Sequence, residues 1–157
     1  MRETAVITDT SCLIALAKTG LMEALRRMYA AVFVTEEIRV EFGEALPDWI
    51  QIKNASNANY SKLLETFLDA GEASAIALAF ELGDVVLIFD DLKARKEARR
   101  LGFRFTGTLG VLYAAKKQGF IPALKPHLEI LQAFGFRISP QIIAELLNLA
   151  GENDQPL

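Results

Sequence analysis

The sequence has a single cysteine, Cys12, and a single histidine, His127. No disulfide can close within the chain, and no Cys/His zinc cage of ordinary spacing can be assembled. Any bound metal must be held mainly by oxygen. Long apolar runs are also missing: nothing approaches the roughly 18 residues of a membrane span. Arg2-Glu3 is followed by only three apolar positions, Ala5-Val6-Ile7, before Asp9, fewer than the apolar core of a secretory leader needs. A cytoplasmic protein with no membrane partner is the expectation. No low-complexity linker or internal repeat divides the chain. Its 157 residues, 52% of them hydrophobic, are expected to bury one core as a single domain over 1–150. Residues 151–157 read as a loose tail.

Basic residues are scarce in the first part of the chain and concentrated later. Residues 1–91 carry seven Lys/Arg against fifteen Asp/Glu, whereas residues 92–125 carry nine basic side chains against Glu97 alone. The net charge of −3 and the pI near 5.3 therefore hide a local excess of positive charge. Nucleic-acid binding follows the local patch rather than the mean. Lys93, Arg95, Lys96, Arg99 and Lys116 are the candidates for contact with a nucleic-acid backbone; solvated helix faces are the plainer alternative.

Short apolar runs alternate with longer helical periodicity, the pattern of an α/β domain. Strands are predicted at 5–8, 31–34, 85–89 and 103–106, with a weaker one at 49–52. Helices are predicted near 11–28, 35–44, 57–69, 72–82, 91–101, 108–118, 122–134 and 140–149. The 85–89 run is apolar at every position, as in a strand covered on both faces, which implies a parallel central sheet. Ligands of such sheets collect beyond the carboxyl ends of the strands.

Acids stand at those ends. Asp9 follows the first strand; Asp90 and Asp91 follow the fourth. Each is also well placed to cap the next helix. At helical spacing Asp91 shares a face with Ala94, Ala98 and Leu101, which would aim its carboxylate inward over the sheet end. Glu72 leads the apolar stripe Ala75, Ile76 and Ala79, so it faces desolvation unless a partner or cation meets it. Glu41 lies at the edge of the stripe formed by Ile38 and Phe42. Thr108 opens a helix, where capping is the default role. Several carboxylates brought together repel unless a cation neutralises them, and an oxygen-only cluster suits Mg²⁺ or Mn²⁺.

In order and spacing, four segments resemble the acidic motifs of PIN-domain nucleases: Asp9-Thr10-Ser11, Val34-Thr35-x-x-Ile38-x-x-Glu41, Gly71-Glu72-x-x-Ala75-Ile76 and Asp90-Asp91-x-x-Ala94-Arg95-x-x-Ala98. Gly107-Thr108-Leu109-Gly110-Val111-Leu112, with Ala115-Lys116 and Gly119, resembles a prokaryotic subgroup related to the VapC toxins of toxin–antitoxin pairs. The resemblance covers about residues 4–149. It implies a three-layer α/β/α fold with a five-stranded parallel sheet in order 3-2-1-4-5, and Mg²⁺- or Mn²⁺-dependent cleavage of RNA. Asp9, Glu41, Glu72 and Asp91 then fall on the acidic positions, with Asp90 beside them as a further metal ligand and Thr108 on a later polar position. An antitoxin protein and a second copy of the chain are the candidate protein partners. Two features depart from the family pattern: Gly107-Thr108 offers a hydroxyl where a further Asp is common, and the helices at about 121–150 extend beyond a minimal PIN domain.

Other readings fit less well. A haloacid-dehalogenase-type phosphatase needs a second Asp two residues after Asp9, where Ser11 stands; a receiver domain needs its acidic pair after the first strand. A Ser-His-Asp hydrolase would depend on His127, which has no nucleophile-elbow motif to serve. The strongest rival is a catalytically silent PIN-like module that binds RNA or protein.

Overall fold

The structure is a computed structural model that describes residues 4–152. In chain order the elements are β1 (Ala5–Thr8), α1 (Thr10–Lys18), α2 (Met22–Met28), β2 (Ala31–Val34), α3 (Glu36–Phe42), β3 (Ile50–Ile52) and α4 (Ala58–Leu64). There follow α5 (Ala70–Leu82), β4 (Val85–Ile88), α6 (Leu92–Arg100), β5 (Arg104–Thr106), α7 (Thr108–Lys117), α8 (Lys125–Ala133) and α9 (Pro140–Leu149). The sheet has five strands in the order β3-β2-β1-β4-β5, and every pairing is parallel. This is the expected three-layer α/β/α architecture. Because all strands run one way, the turns after β1, β2, β4 and β5 emerge along one edge, and it is there that the acids meet.

The apolar runs form strands because the central ones are covered on both faces. Val6, Ile7, Leu87 and Ile88 are buried, as are Leu13, Leu16, Ile76 and Leu78 from the helices that pack on them. Each such side chain contributes about 1.5–3 kcal/mol of burial. Phe89, one residue beyond β4, still donates its N–H to the Thr106 carbonyl at 2.8 Å, so the pairing extends to the residue before Asp90.

The helix boundaries depart from periodicity where a cap interrupts it. The stretch 11–28, expected as one helix, is broken at Gly20. There φ is 74°, Gly20 N bonds Ala17 O at 3.3 Å and Leu21 N bonds Leu16 O at 2.9 Å. That is a Schellman ending, in which a glycine takes the left-handed conformation. The 57–69 segment stays helical only to Leu64, and α5 begins at Ala70 rather than 72, which leaves Asp69 as its N-cap.

The C-terminal part is tied to the domain by a similar device. Gly135 has a φ of 86°, and Phe136 N bonds Leu131 O at 3.0 Å, turning the chain from α8 toward α9. Ile143, Leu146 and Leu147 of α9, and Ala150 just after it, pack on the core, whereas Ile142 and Leu149 are exposed. After α9, the Glu152 carboxylate accepts from the N–H groups of Leu124 (2.8 Å) and Lys125 (3.3 Å) and lies 3.7 Å from Lys116 Nζ. The segment expected to be loose from 151 is therefore held as far as Glu152; its remainder, 153–157, lies outside the described residues. No helix among the described residues is long and apolar enough to cross a membrane.

Candidate active site

Three aspartates reach this edge of the sheet because each caps a helix there. Asp9 leaves β1 in extended conformation and caps α1, its Oδ1 accepting from Cys12 N at 2.9 Å. Asp69 caps α5 by accepting from Glu72 N at 2.8 Å. Asp91 caps α6 by accepting from Ala94 N at 3.0 Å. An ionised carboxylate offers about four lone-pair sites, so one cap bond leaves capacity for another partner.

Asp9, Thr10, Glu41, Asp69, Gly71 and Glu72 are among the residues lining one hollow of about 240 Å³. Asp9 is only 3% exposed; burial raises its pKa to about 6, and the charges of Asp90 and Asp69 add to the rise against the opposing bonds from Cys12. Glu72, also buried, is raised to about 7, first by burial and then by Asp69, Asp91 and Asp9, while the backbone N–H of Asp69 opposes the shift. Glu41 is exposed and comes in from α3. Its Oε1 accepts from Thr10 Oγ1 at 3.0 Å and lies where a Cβ on residue 71 would collide with it. Gly71 is thus the gap that admits Glu41 to the hollow lined by Glu72.

Asp91 does not line this hollow. It is exposed, yet its charge acts on Glu72 across the edge; the inward aim expected from helical spacing gives way to capping. Asp69 was missed by motif spacing, although Asp69-Ala70-Gly71-Glu72 has the Asp-x-x-Glu form of a capping box, a local signal that was there to be used.

A family model of the PIN domain matches residues 5–152. The chain belongs to the PIN-domain family. A search among curated proteins finds no match. PIN domains are in general nucleases and typically use divalent metals. Among the described residues, no group of three or more His, Cys, Asp or Glu side chains is drawn together closely enough to hold an ion by itself. In kind, the donors fit a hard divalent cation: all are oxygens, and Asp69, Asp91 and Asp9 each push up the pKa of Glu72, a repulsion that a proton or a cation relieves. The wide spacing suits a hydrated ion held by one or two carboxylates with water completing its shell.

Two expected members of this PIN site are engaged elsewhere. Both oxygens of Asp90 accept from Thr108, from its N–H at 2.9 Å and its Oγ1 at 2.6 Å, with Arg95 Nη2 at 3.8 Å. Asp90 therefore holds the start of α7, and it does not line the hollow that Asp9 and Glu72 share. Thr108 is fully buried and is the first residue of α7, with Gly107 in the cap position; its hydroxyl secures Asp90 instead of capping its own helix or facing the hollow. Cys12 lies beneath them, its thiol pKa pushed up by burial and then by Asp9 and Asp90, and so is no nucleophile.

The basic candidates divide in the same way. Lys93, Lys96 and Arg99 are exposed on α6. Arg95 is half-buried, its Nε donating to the Phe89 carbonyl at 2.6 Å. Lys116 donates to the Pro122 carbonyl at 2.8 Å and lies beside Glu152, well engaged within the fold.

Proposed function

We propose that this PIN-domain protein is a Mg²⁺- or Mn²⁺-dependent endoribonuclease that acts as the toxin of a toxin–antitoxin pair. The observation that carries the reading is the pairing of Asp9 and Glu72 in one hollow at the strand ends, with both pKa values raised by burial and by neighbouring acids. A purely structural cap gains nothing from such company, whereas a cation site needs it.

Asp9 and Glu72 would hold the ion directly, with Asp91 and Asp69 adding negative charge and Glu41, oriented by Thr10 and the gap at Gly71, taking a hydrogen bond from a water of its shell. When bound, a divalent ion supplies an activated water and neutralises charge on the scissile phosphate. Lys93, Lys96 and Arg99 hold the RNA backbone along α6, which gives salt-sensitive affinity with little base choice. An antitoxin protein and a second copy of the chain are the protein partners that accompany this reading; α9, with Ile142 and Leu149 exposed, is the surface we assign to them.

The silent RNA-binding module keeps one observation in its favour, the absence of a closely drawn group of three ligands among the described residues. Incubation of the chain with single-stranded RNA, with Mn²⁺ and with chelator, separates the two. Cleavage that requires Mn²⁺ supports the nuclease; binding without cleavage in either condition establishes the module.

A further inference from the structure

A larger hollow, of about 490 Å³, lies at the ends of β4 and β5, on the same edge of the sheet as the acidic one, with Asp90, Arg95, Phe105, Gly107, Leu109 and Phe136 among its walls. Its size is that of a small-ligand site. Its walls are flat. Arg95 is pinned by the Phe89 carbonyl, and the Phe105 ring already carries two guanidiniums, Arg95 at 5.4 Å and Arg99 at 5.1 Å from its centre, which leaves Phe136 as the ring open to a new partner. Phe136 is half-buried and stacks on no other ring among the described residues. Gly107 has no room for a Cβ, which would run into the Arg95 guanidinium and the Asp90 carboxylate.

Aromatic rings and guanidinium planes are the surfaces on which unpaired bases stack. Three of the polar atoms at its walls are committed within the fold: both oxygens of Asp90 to Thr108, and Arg95 Nε to Phe89. The hollow therefore favours the face of a ring over the edge pattern of one particular base. Asp90 also stands between it and the reaction site, since it follows β4, the strand that lies between β1, which leads to Asp9, and β5, which leads to Gly107. Phe136 also lines a further hollow of about 500 Å³ together with Arg137, so a strand seated at Phe136 has a cationic side chain within the next hollow.

We propose that the hollow bounded by Arg95, Phe105 and Phe136 seats one unpaired nucleobase of the RNA strand, beside the phosphate to be cleaved. The inference deepens the ribonuclease reading and rests on it, and it gives the C-terminal extension a role, because Phe136 comes from the turn between α8 and α9.

The test uses the full chain and a single-stranded RNA oligonucleotide in which one nucleotide at a time is made abasic. Loss of a stacked base typically weakens binding by about tenfold. The expected result is one position, next to the cleaved bond, where the abasic substrate raises KM about tenfold with kcat retained, whichever base stood there. Phe136→Leu, which keeps apolar bulk but removes the ring, raises KM to the same degree on intact RNA, Phe136→Tyr restores it, and Phe136→Leu makes the abasic substitution at that position cost nothing further. Equal KM for the parent and Phe136→Leu, or no position at which the two losses overlap, would overturn the proposal. Fluorescence anisotropy of the same oligonucleotides in chelator keeps the two readings apart: binding that depends on Phe136 without any cleavage retains the base site and removes the nuclease. Cleavage indifferent to Phe136 does the reverse.

Discussion

Replacing Asp9 with Asn distinguishes a charged site from a helix cap. Asn caps about as well as Asp, so the bond from Cys12 N at 2.9 Å has a replacement and a pure cap loses little. The carboxylate differs. Its pKa of about 6 in the folded chain, against an ordinary 3.8, corresponds to about 3 kcal/mol of penalty on the ionised form. Between those values the folded chain keeps a proton at Asp9 that the unfolded chain has released, so stability falls as pH rises through the interval, and the loss is complete above about pH 6. Without metal at pH 7, Asp9→Asn should therefore be more stable than the parent by up to about 3 kcal/mol, roughly 6–12 °C in Tm for a domain of this size. With Mn²⁺ the order reverses in what each gains: the parent is stabilised by binding, and the variant, lacking a charged ligand, is stabilised little. The assays are urea and thermal unfolding of both proteins across about pH 4–7.5, with and without Mn²⁺, and cleavage of single-stranded RNA, which should fall by orders of magnitude in the variant. An Asn variant less stable than the parent at pH 7 without metal would refute the argument from burial. One that still cleaves RNA at the parental rate and still gains stability from Mn²⁺ would remove Asp9 from the site.

Asp9 and Glu72 are protonated more readily than ordinary carboxylates, at about pH 6 and 7, so Mn²⁺ must displace protons below neutrality. Its affinity, read from Tm shifts, should be at least about tenfold weaker at pH 5.5 than at pH 7.5, and unchanged affinity would place the ion elsewhere. Gly71→Ala evicts the Glu41 carboxylate from its place against α5 while keeping a good helix former there. RNA cleavage should fall about tenfold or more by loss of a positioned group, with far-UV circular dichroism unchanged; full activity would show that Glu41 has no part. Glu152→Ala removes the carboxylate that accepts from Leu124 N and Lys125 N at the start of α8. It should cost about 1–2 kcal/mol in urea unfolding, and no loss would mean that the chain is effectively free beyond α9.

Much of the fold was legible because its signals are local. The predicted strands at 5–8 and 31–34 coincide with β1 and β2, since a short β-rich run bounded by turn residues has few other structures to adopt. The acids after β1 and β4 could be read as caps because capping depends on a few consecutive residues. Gly20 and Asp69 were legible too, but apolar periodicity continues through both and obscured the Schellman ending and the capping box. The sheet order came from family resemblance and not from the pattern, as pairing is a contact between residues distant along the chain. Tertiary structure alone decided which carboxylates meet. Glu41 enters the hollow that Glu72 also lines only because α3 lies against the bare Gly71. Asp90, adjacent in sequence to Asp91, is drawn to Thr108 eighteen residues later, because the first N–H of α7 needs an acceptor and Gly107 has no side chain to supply one. Glu152 likewise serves α8 across 28 residues. A carboxylate's local sequence fixes where it leaves the backbone; the unsatisfied donor, cation or competing charge that it meets is set by the packing of elements far away in the chain.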